Sequence, residues 1–342
     1  MPAALAVPDG VQGITAGWLS EALGREAVAV AATPIGTGQT GSSHRLQVTW
    51  ADGSSGSFVA KTGAEDPEVR ERVAFGYRAE IAFYRDIAAT VRIPVPRVHA
   101  VAATGDCSQF VLVMDDLAPA EQGDQLAGAD RDVVLAGARA LAGLHGPRWC
   151  DPAWKDLDVL VMPVADEASA AGLADLGVAA AATVVDTLGD RLSPLVLEVL
   201  ATFPKRVPDL LLAVPERFAL LHGDYRLDNV MLHPDGGVTV VDWQTLSVGL
   251  PARDLAYWVT TSLVPERRRD VEELALSAYH EALAAPGYTG QQLEEDYRLG
   301  QLHAPLLTCL GWAFATQTER GGEMVVTMLE RSAAALRDLE VL

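Results

Sequence analysis

Two short apolar runs, each ending on ionisable residues, constrain this chain more than anything else in it. Ala219-Leu-Leu leads into His222-Gly-Asp224, and Val238-Thr-Val-Val leads into Asp242-Trp-Gln244. Apolar runs of this length place the next polar residue at the end of a buried strand. Asp224, Asn229 five residues later, and Asp242 are therefore expected to converge on one crevice from a rigid support. Whatever the fold, it must bury two short strands late in the chain and leave their ends polar.

The segments upstream differ in kind. Residues 15–24 have the pattern of a short capped helix ending at Gly24. Strands are predicted over about 28–35, 44–50 and 57–62, joined by Gly/Ser-rich turns, and then a helix over about 66–89 that Pro94 and Pro96 stop. Two more strands follow, about 98–104 and 109–115. Pro119 and the polar Glu121-Gln-Gly-Asp124 mark a boundary, and from about 130 helices dominate. At 342 residues the chain is long enough for two cores. The expectation is an α+β, bilobal fold, with a small β-rich lobe over 1–118 and a larger, mainly helical lobe over 119–342.

Charge excludes one class of partner. The formal net charge is −20, whereas a nucleic-acid partner calls for a basic surface. The acid is concentrated after residue 118, where 17 basic residues face 33 acidic ones. That excess would steer a cation or simply solvate the surface. Three cysteines without C-x-x-C spacing (Cys107, Cys150, Cys309) suit reduced thiols in a cytoplasmic protein. No leader is read at Met1-Pro-Ala-Ala and no membrane partner is expected, since no apolar run reaches the ~20 residues a span needs. The Ala-rich stretch 168–185, interrupted by Asp175, is predicted as a buried or amphipathic helix. The sequence is silent on oligomeric state.

Gly36-Thr-Gly-Gln-Thr-Gly41 is a G-x-G-x-x-G, with Gly36, Gly38 and Gly41 at its fixed positions. The dinucleotide-binding version of this motif opens a helix. Here Ser42–Trp50 alternates like a strand, so a strand–loop–strand flap over phosphates is the better fit. Lys61 closes the apolar run Ser57-Phe-Val-Ala and is one of three lysines in the chain. A lysine so placed is costly to desolvate without an anion. The phosphates of ATP would be one, and Glu80 on the following helix would hold the lysine in place. Phe110–Met114 then runs through Asp115 and Leu117 into the boundary, where backbone groups would meet adenine. Met114 either borders that pocket or is core. Asp224 is the candidate base, and Asn229 and Asp242 have the oxygens to hold Mg²⁺. Arg226 is expected to reach a γ-phosphate, with pairing to Asp228 as the alternative. His222 is read as a brace for its loop, His145 as a packed histidine, and Asp254 as a helix N-terminal charge or a buried brace.

Together these motifs resemble the aminoglycoside phosphotransferase and choline kinase-like superfamily, small-molecule relatives of protein kinases. The resemblance runs over most of the chain, from Gly36–Gly41 through Lys61, Glu80 and the 110–117 connector to His222-Gly-Asp224…Asn229, Asp242-Trp-Gln244 and Asp254. The tail of the motif also resembles ecdysteroid kinase-like proteins. It implies a protein-kinase-like fold, ATP and Mg²⁺ as cofactors, Asp224 as base, and Asn229 and Asp242 as metal ligands. Gln244 stands where protein kinases have the Gly of Asp-Phe-Gly, and no Ala-Pro-Glu follows. A small hydroxylated acceptor is therefore expected in place of a protein. The acidic second half favours a cationic, aminoglycoside-like one; the aromatic residues Trp258, Tyr297, Trp312 and Phe314 favour a more apolar one. The alternative from another class is a catalytically silent nucleotide-binding module acting through a partner.

Overall fold

The computed structural model describes residues 5–36, 40–162, 165–213 and 216–342. Two compact units account for them. One comprises the chain up to residue 89, residues 95–118 and residues 242–244; the other comprises 90–94, 119–241 and 245–342. A single cut after residue 118 thus misses two exchanged segments. Residues 90–94 join the second unit because the Arg92 N–H donates to the Gly143 carbonyl, and the Pro94 carbonyl accepts from Val240. Residues 242–244 join the first through side-chain contacts described below.

The first unit contains α1 (Ala16–Leu23), β1 (Ala27–Ile35), β2 (Gly41–Trp50), β3 (Ser55–Gly63), α2 (Pro67–Ala82), β4 (Val98–Ala103) and β5 (Phe110–Asp115). The five strands form one antiparallel sheet in the order β1-β2-β3-β5-β4. Strand β5 shows why its sequence is apolar throughout. Val111 and Val113 enter a core with Trp18, Leu46 and Trp50, while Phe110, Leu112 and Met114 enter a second core with Tyr77 and Ile81 of α2. Successive side chains of a strand point to opposite faces, and both faces of this one are covered. Helix α2 starts at Asp66, whose carboxylate accepts from the N–H groups of Glu68 and Val69. The continuous helix expected over 66–89 instead widens into a π-turn at Phe83–Ile87, followed by a 3₁₀ turn at Ala88–Thr90. The π-turn begins where the Phe83 ring stacks on Trp243, with centroids 3.5 Å apart.

The second unit contains β6 (Glu121–Gln122), α3 (Arg131–His145), α4 (Glu167–Leu188), α5 (Pro194–Thr202), α6 (Val207–Leu212), β7 (Ala219–Leu221), β8 (Val230–Leu232), β9 (Val238–Val240), β10 (Ser247–Gly249), α7 (Ala252–Ser262), α8 (Pro265–Leu283), α9 (Gly290–Gly300), α10 (His303–Phe314) and α11 (Glu319–Asp338). Its short strands form the ladders β6-β8-β9 and β10-β7. They leave the loop 222–229 between β7 and β8. Helix α7 is buried along its whole length, and it forms the floor under that loop. Helix α4 is long and apolar enough to cross a membrane by length and composition alone. In the fold one face of it is buried. Ala180, Ala181, Val184 and Leu188 enter a core with Leu306, Trp312 and Leu329, and Leu176, Val178 and Val185 stay exposed.

Candidate functional site

In the first unit the site grows from sheet register. Lys61 on β3 lies directly opposite Leu112 on β5, so it shares the face that packs on α2. That face brings its ammonium 2.8 Å from the carboxylate of Glu80, a residue only 1% exposed. Glu68 and Glu71, on the same predicted helix, make no ion pair with Lys61. A second carboxylate, Asp242, lies 3.1 Å from the same nitrogen and keeps 39% of its side chain exposed. Burial works against the charge on Lys61, but Asp242 and Glu80 outweigh it and raise its pKa. Glu80 moves up as well, because burial and the neighbouring Asp242 oppose the pull of Lys61. Asp242 itself has a φ of 66°, a left-handed backbone that is uncommon outside glycine and tolerated best by Asp and Asn. That strained turn carries Asp242, Trp243 and Gln244 into this unit.

Gln244 extends the cluster to the glycine-rich hairpin. Its Nε2 donates to Glu80 at 3.2 Å, and its Oε1 accepts from the Thr40 hydroxyl at 3.0 Å. Tyr77 of α2 donates to the Thr40 carbonyl. Strands β1 and β2 form the antiparallel hairpin on which Gly36 and Gly41 sit; Gly38 lies outside the described residues. Gly36 has a φ of 72°, and a Cβ on Gly41 would stand 2.8 Å from the Thr62 carbonyl. The connector is braced by a residue the sequence reading passed over. The Asp116 carboxylate accepts from Arg45 at 2.7 Å, from Ser57, and from the Ala118 N–H. The Asp115 N–H donates to Arg97, and its carboxylate lies 2.7 Å from His99. Met114 belongs to the core cluster under α2, and Leu117 is half-buried beyond the strand.

In the second unit, Asp224 is held by three donors. Asn229 Nδ2 bonds its Oδ2 at 2.9 Å, the Tyr257 hydroxyl bonds Oδ1 at 3.0 Å, and Arg226 Nε lies 3.1 Å from both oxygens. The guanidinium of Arg226 also meets Asp228 at 2.6 Å. Pairing with Asp228, the alternative reading, is therefore present, though the residue is not on the surface: its side chain is 19% exposed. Burial would lower its pKa, but Asp224, Tyr257 and Asp228 together raise it. Asn229 turns its amide nitrogen toward Asp224, which directs its oxygen away.

The loop bearing Asp224 is fixed from beneath. Asp254, fully buried in the first turn of α7, accepts from the N–H groups of His222 at 2.7 Å and Gly223 at 3.1 Å. Both roles read for it from sequence are thus combined in one position. Burial pushes its carboxyl pKa up, but His145, His222 and His303 bring the balance below the usual value. His222 Nδ1 accepts from the Asp224 N–H at 3.3 Å, and its Nε2 lies 3.0 Å from the Val241 carbonyl. These bonds place the ring proton on Nε2 and make His222 a loop brace. His145 packs at the end of α3 with Nδ1 2.8 Å from the Tyr279 hydroxyl. Sequence reasoning missed His303, whose Nε2 lies 3.0 Å from the Gly223 carbonyl. It also missed Gln125, which ties the Leu227 N–H to the Thr261 carbonyl. Trp258, Tyr297 and Trp312, offered as acceptor contacts, are core; only Phe314 is exposed. Apolar aromatic residues on helices carry no signal that separates those two roles.

With this geometry in place, comparison with known proteins is informative. The model of the phosphotransferase enzyme family matches residues 34–290. The chain belongs to that family. Solved structures of similar fold include an aminoglycoside phosphotransferase from Alicyclobacillus acidocaldarius (14% identity, TM-score 0.51, covering 92% of each chain). Another is the GDP and kanamycin complex of APH(2")-IIia (14% identity, TM-score 0.54, covering 88% of this chain and 92% of that one). At such identities the likeness speaks for the fold, which is α+β and protein-kinase-like. Among curated proteins, acyl-CoA dehydrogenase family member 10 of Mus musculus is 33% identical over 76 residues, and member 11 of Gallus gallus is 46% identical over 41. Those matches span only 7% and 5% of the relatives' own lengths. The chain is thus a member of the phosphotransferase enzyme family with a protein-kinase-like fold.

Proposed function

We propose that this chain transfers the γ-phosphate of ATP to a hydroxyl of a small molecule. The observation that carries the reading is Lys61, held by Glu80 and Asp242 beside a glycine-rich hairpin. A lysine between two carboxylates, tethered to the flap through Gln244 and Thr40, suits the α- and β-phosphates of a nucleotide. Gly36 and Gly41, with Gly38 between them in sequence, would let the backbone approach phosphate oxygens. Adenine would lie against the connector at Met114, Asp115 and Leu117. The Asp115 N–H is already taken by Arg97, so the backbone at 116–117 is assigned the base contacts.

Asp224 would accept the proton of the acceptor hydroxyl as the phosphoryl group departs from ATP. Asn229, Tyr257 and Arg226 orient its carboxylate for that. A loose phosphoryl transition state asks mainly for positioning and charge neutralisation, which a weak base can serve. Arg226 has Nε and Nη1 engaged by Asp224 and Asp228, so a γ-phosphate contact is left to its remaining amino group. Mg²⁺ would be held by Asn229 and Asp242. An amide oxygen and a part-exposed carboxylate are ligand types that suit a cation that keeps most of its shell for phosphates and water. The metal would neutralise charge on the phosphates. Cys107, Cys150 and Cys309 are free thiols, which supports a cytoplasmic setting.

The test is an acceptor panel with Mg²⁺-ATP, read by ADP release and a phosphate mass increase on the product. Asp224→Asn should keep nucleotide binding and lose turnover by several kcal/mol of transition-state stabilisation, on the order of 10³-fold or more. Full activity in that variant refutes the assigned base. A nucleotide-induced rise in Tm with no product from any acceptor would point instead to a silent binding module.

A further inference from the structure

The second unit contains a cavity of about 480 Å³, within the range of small-molecule pockets. Most of its wall is apolar, with Met162, Leu173, Leu176, Leu211, Phe218 and Leu250 among the lining residues. Arg253 does not fit that wall. It is 3% exposed, and its Nε has no hydrogen-bond partner among the described residues. Its guanidinium meets His303 Nδ1 through Nη2 at 3.3 Å, and no described carboxylate lies within ion-pair distance.

Position makes this worse. Arg253 is the second residue of α7, where the positive end of the helix dipole disfavours a cation. Burial lowers its pKa to about 10, with Asp254 offsetting only part. A buried charge without a partner is strongly destabilising. Yet the fold makes room for it: a Cβ on Gly249, another wall residue, would stand 2.8 Å from Nη1. The other cations of the wall are already engaged. Arg217 makes two bonds to Asp296, at 2.8 and 2.5 Å, and exposed Lys155 lies over the Phe218 ring, 3.9 Å from its centroid.

We propose that this cavity binds an apolar molecule carrying one carboxylate, with the carboxylate on Arg253 and the chain along Leu173, Leu176 and Leu211. One guanidinium without an anionic partner among the described residues matches a monoanion; a dianion such as a phosphate monoester would need a second. Nothing in this depends on the phosphotransfer reading. The site is separate from Asp224. Ala219 pairs with Gly249 and Leu221 with Ser247, so Phe218 and Gly249 mark the end of the β7–β10 ladder away from His222. A route between the two exists through His303, which touches both Arg253 and the Gly223 carbonyl.

The experiment is calorimetric titration and thermal shift of the full chain with decanoate, 1-decanol and decylamine. Decanoate should bind and raise Tm, with the other two at least tenfold weaker. Arg253→Met should fold, shown by an unchanged circular dichroism spectrum, and lose decanoate affinity at least tenfold. Leu176→Trp at the cavity rim should lose it too, with Arg253 intact, and serves if Arg253→Met does not fold. The proposal is overturned if decanoate does not bind, if 1-decanol binds equally well, or if either folded variant binds decanoate like the parent.

Discussion

The hydroxyl of Tyr257 donates to Asp224 Oδ1 at 3.0 Å from a helix buried along its whole length. Burial and the Asp224 carboxylate hold the phenol's pKa well above its ordinary value, so it remains a donor at any working pH. Its ring is buried in the core, at 2% exposure. Tyr257→Phe removes the hydroxyl and keeps the ring. A hydrogen bond to a charged group contributes about 1.5–3 kcal/mol, so kcat should fall by roughly tenfold or more with the KM for nucleotide unchanged. Steady-state kinetics on an active acceptor decide it. An unaltered kcat would reduce Tyr257 to packing.

Lys61 and Glu80 separate stability from function. Lys61→Met leaves Glu80 buried without its cation, which costs about 3–5 kcal/mol in comparable sites. Urea denaturation should show that loss, and nucleotide binding should go with it. In the double variant Lys61→Met with Glu80→Gln, the uncompensated charge is gone. Most of the stability should return while turnover stays absent. Recovery of turnover in the double variant would mean that Lys61 serves only the fold.

Gln244 fastens the flap. It accepts from Thr40 and donates to Glu80, and its backbone carbonyl would be 3.1 Å from a Cβ on Gly76 of α2. Two neutral or charge-assisted hydrogen bonds at about 1 kcal/mol each link the hairpin to the lysine's partner. Gln244→Ala should raise the KM for ATP about tenfold and leave kcat within about twofold. An equal loss in kcat would move Gln244 from nucleotide positioning to the chemical step.

What the sequence made legible follows from the range of the interactions involved. The β1–β2 hairpin, the strand ending at Lys61 and the β7 and β9 runs rest on local alternation and turn residues, and those patterns are visible in one dimension. Asp224, Asn229 and Asp242 stood out because their spacing is short. Asp116, Gln125, Tyr257 and His303 did not. Each bonds a residue 30 to more than 100 positions away or sits in a helix whose apolar pattern hides its one polar atom. The aromatic residues of the later helices were ambiguous for the same reason, since core and pocket ask for the same side chains. The widening of α2 at Phe83 coincides with a stack on Trp243, a partner 160 residues away, and helix periodicity cannot register it. The exchange of 242–244 into the sheet unit is likewise a long-range fact.

His303 sets a pH dependence that can be isolated. Burial first, and then the charge of Arg253, pushes its pKa down to about 3, with Asp254 opposing; the ring also meets Tyr257 edge-on, with centroids 5.5 Å apart. In the unfolded chain the value is about 6.5. Between those two values the unfolded state binds the proton and the folded state does not, so stability rises with pH through this window and falls on acidification. It is fully present above about pH 6.5. Asp254 acts in a different window. Its folded pKa is depressed, so its contribution is present above about 3.9 and is lost as pH falls through the lower folded value. Acidification from 6.5 to 5 should therefore draw on His303 and not Asp254, at up to about 2 kcal/mol. His303→Gln keeps a donor for the Gly223 carbonyl and removes the titration. Denaturation midpoints measured from pH 7 to 4.5 should slope less in His303→Gln than in the parent. Equal slopes would assign the acid sensitivity to another group and leave His303 as a plain hydrogen-bond donor beneath the Asp224 loop.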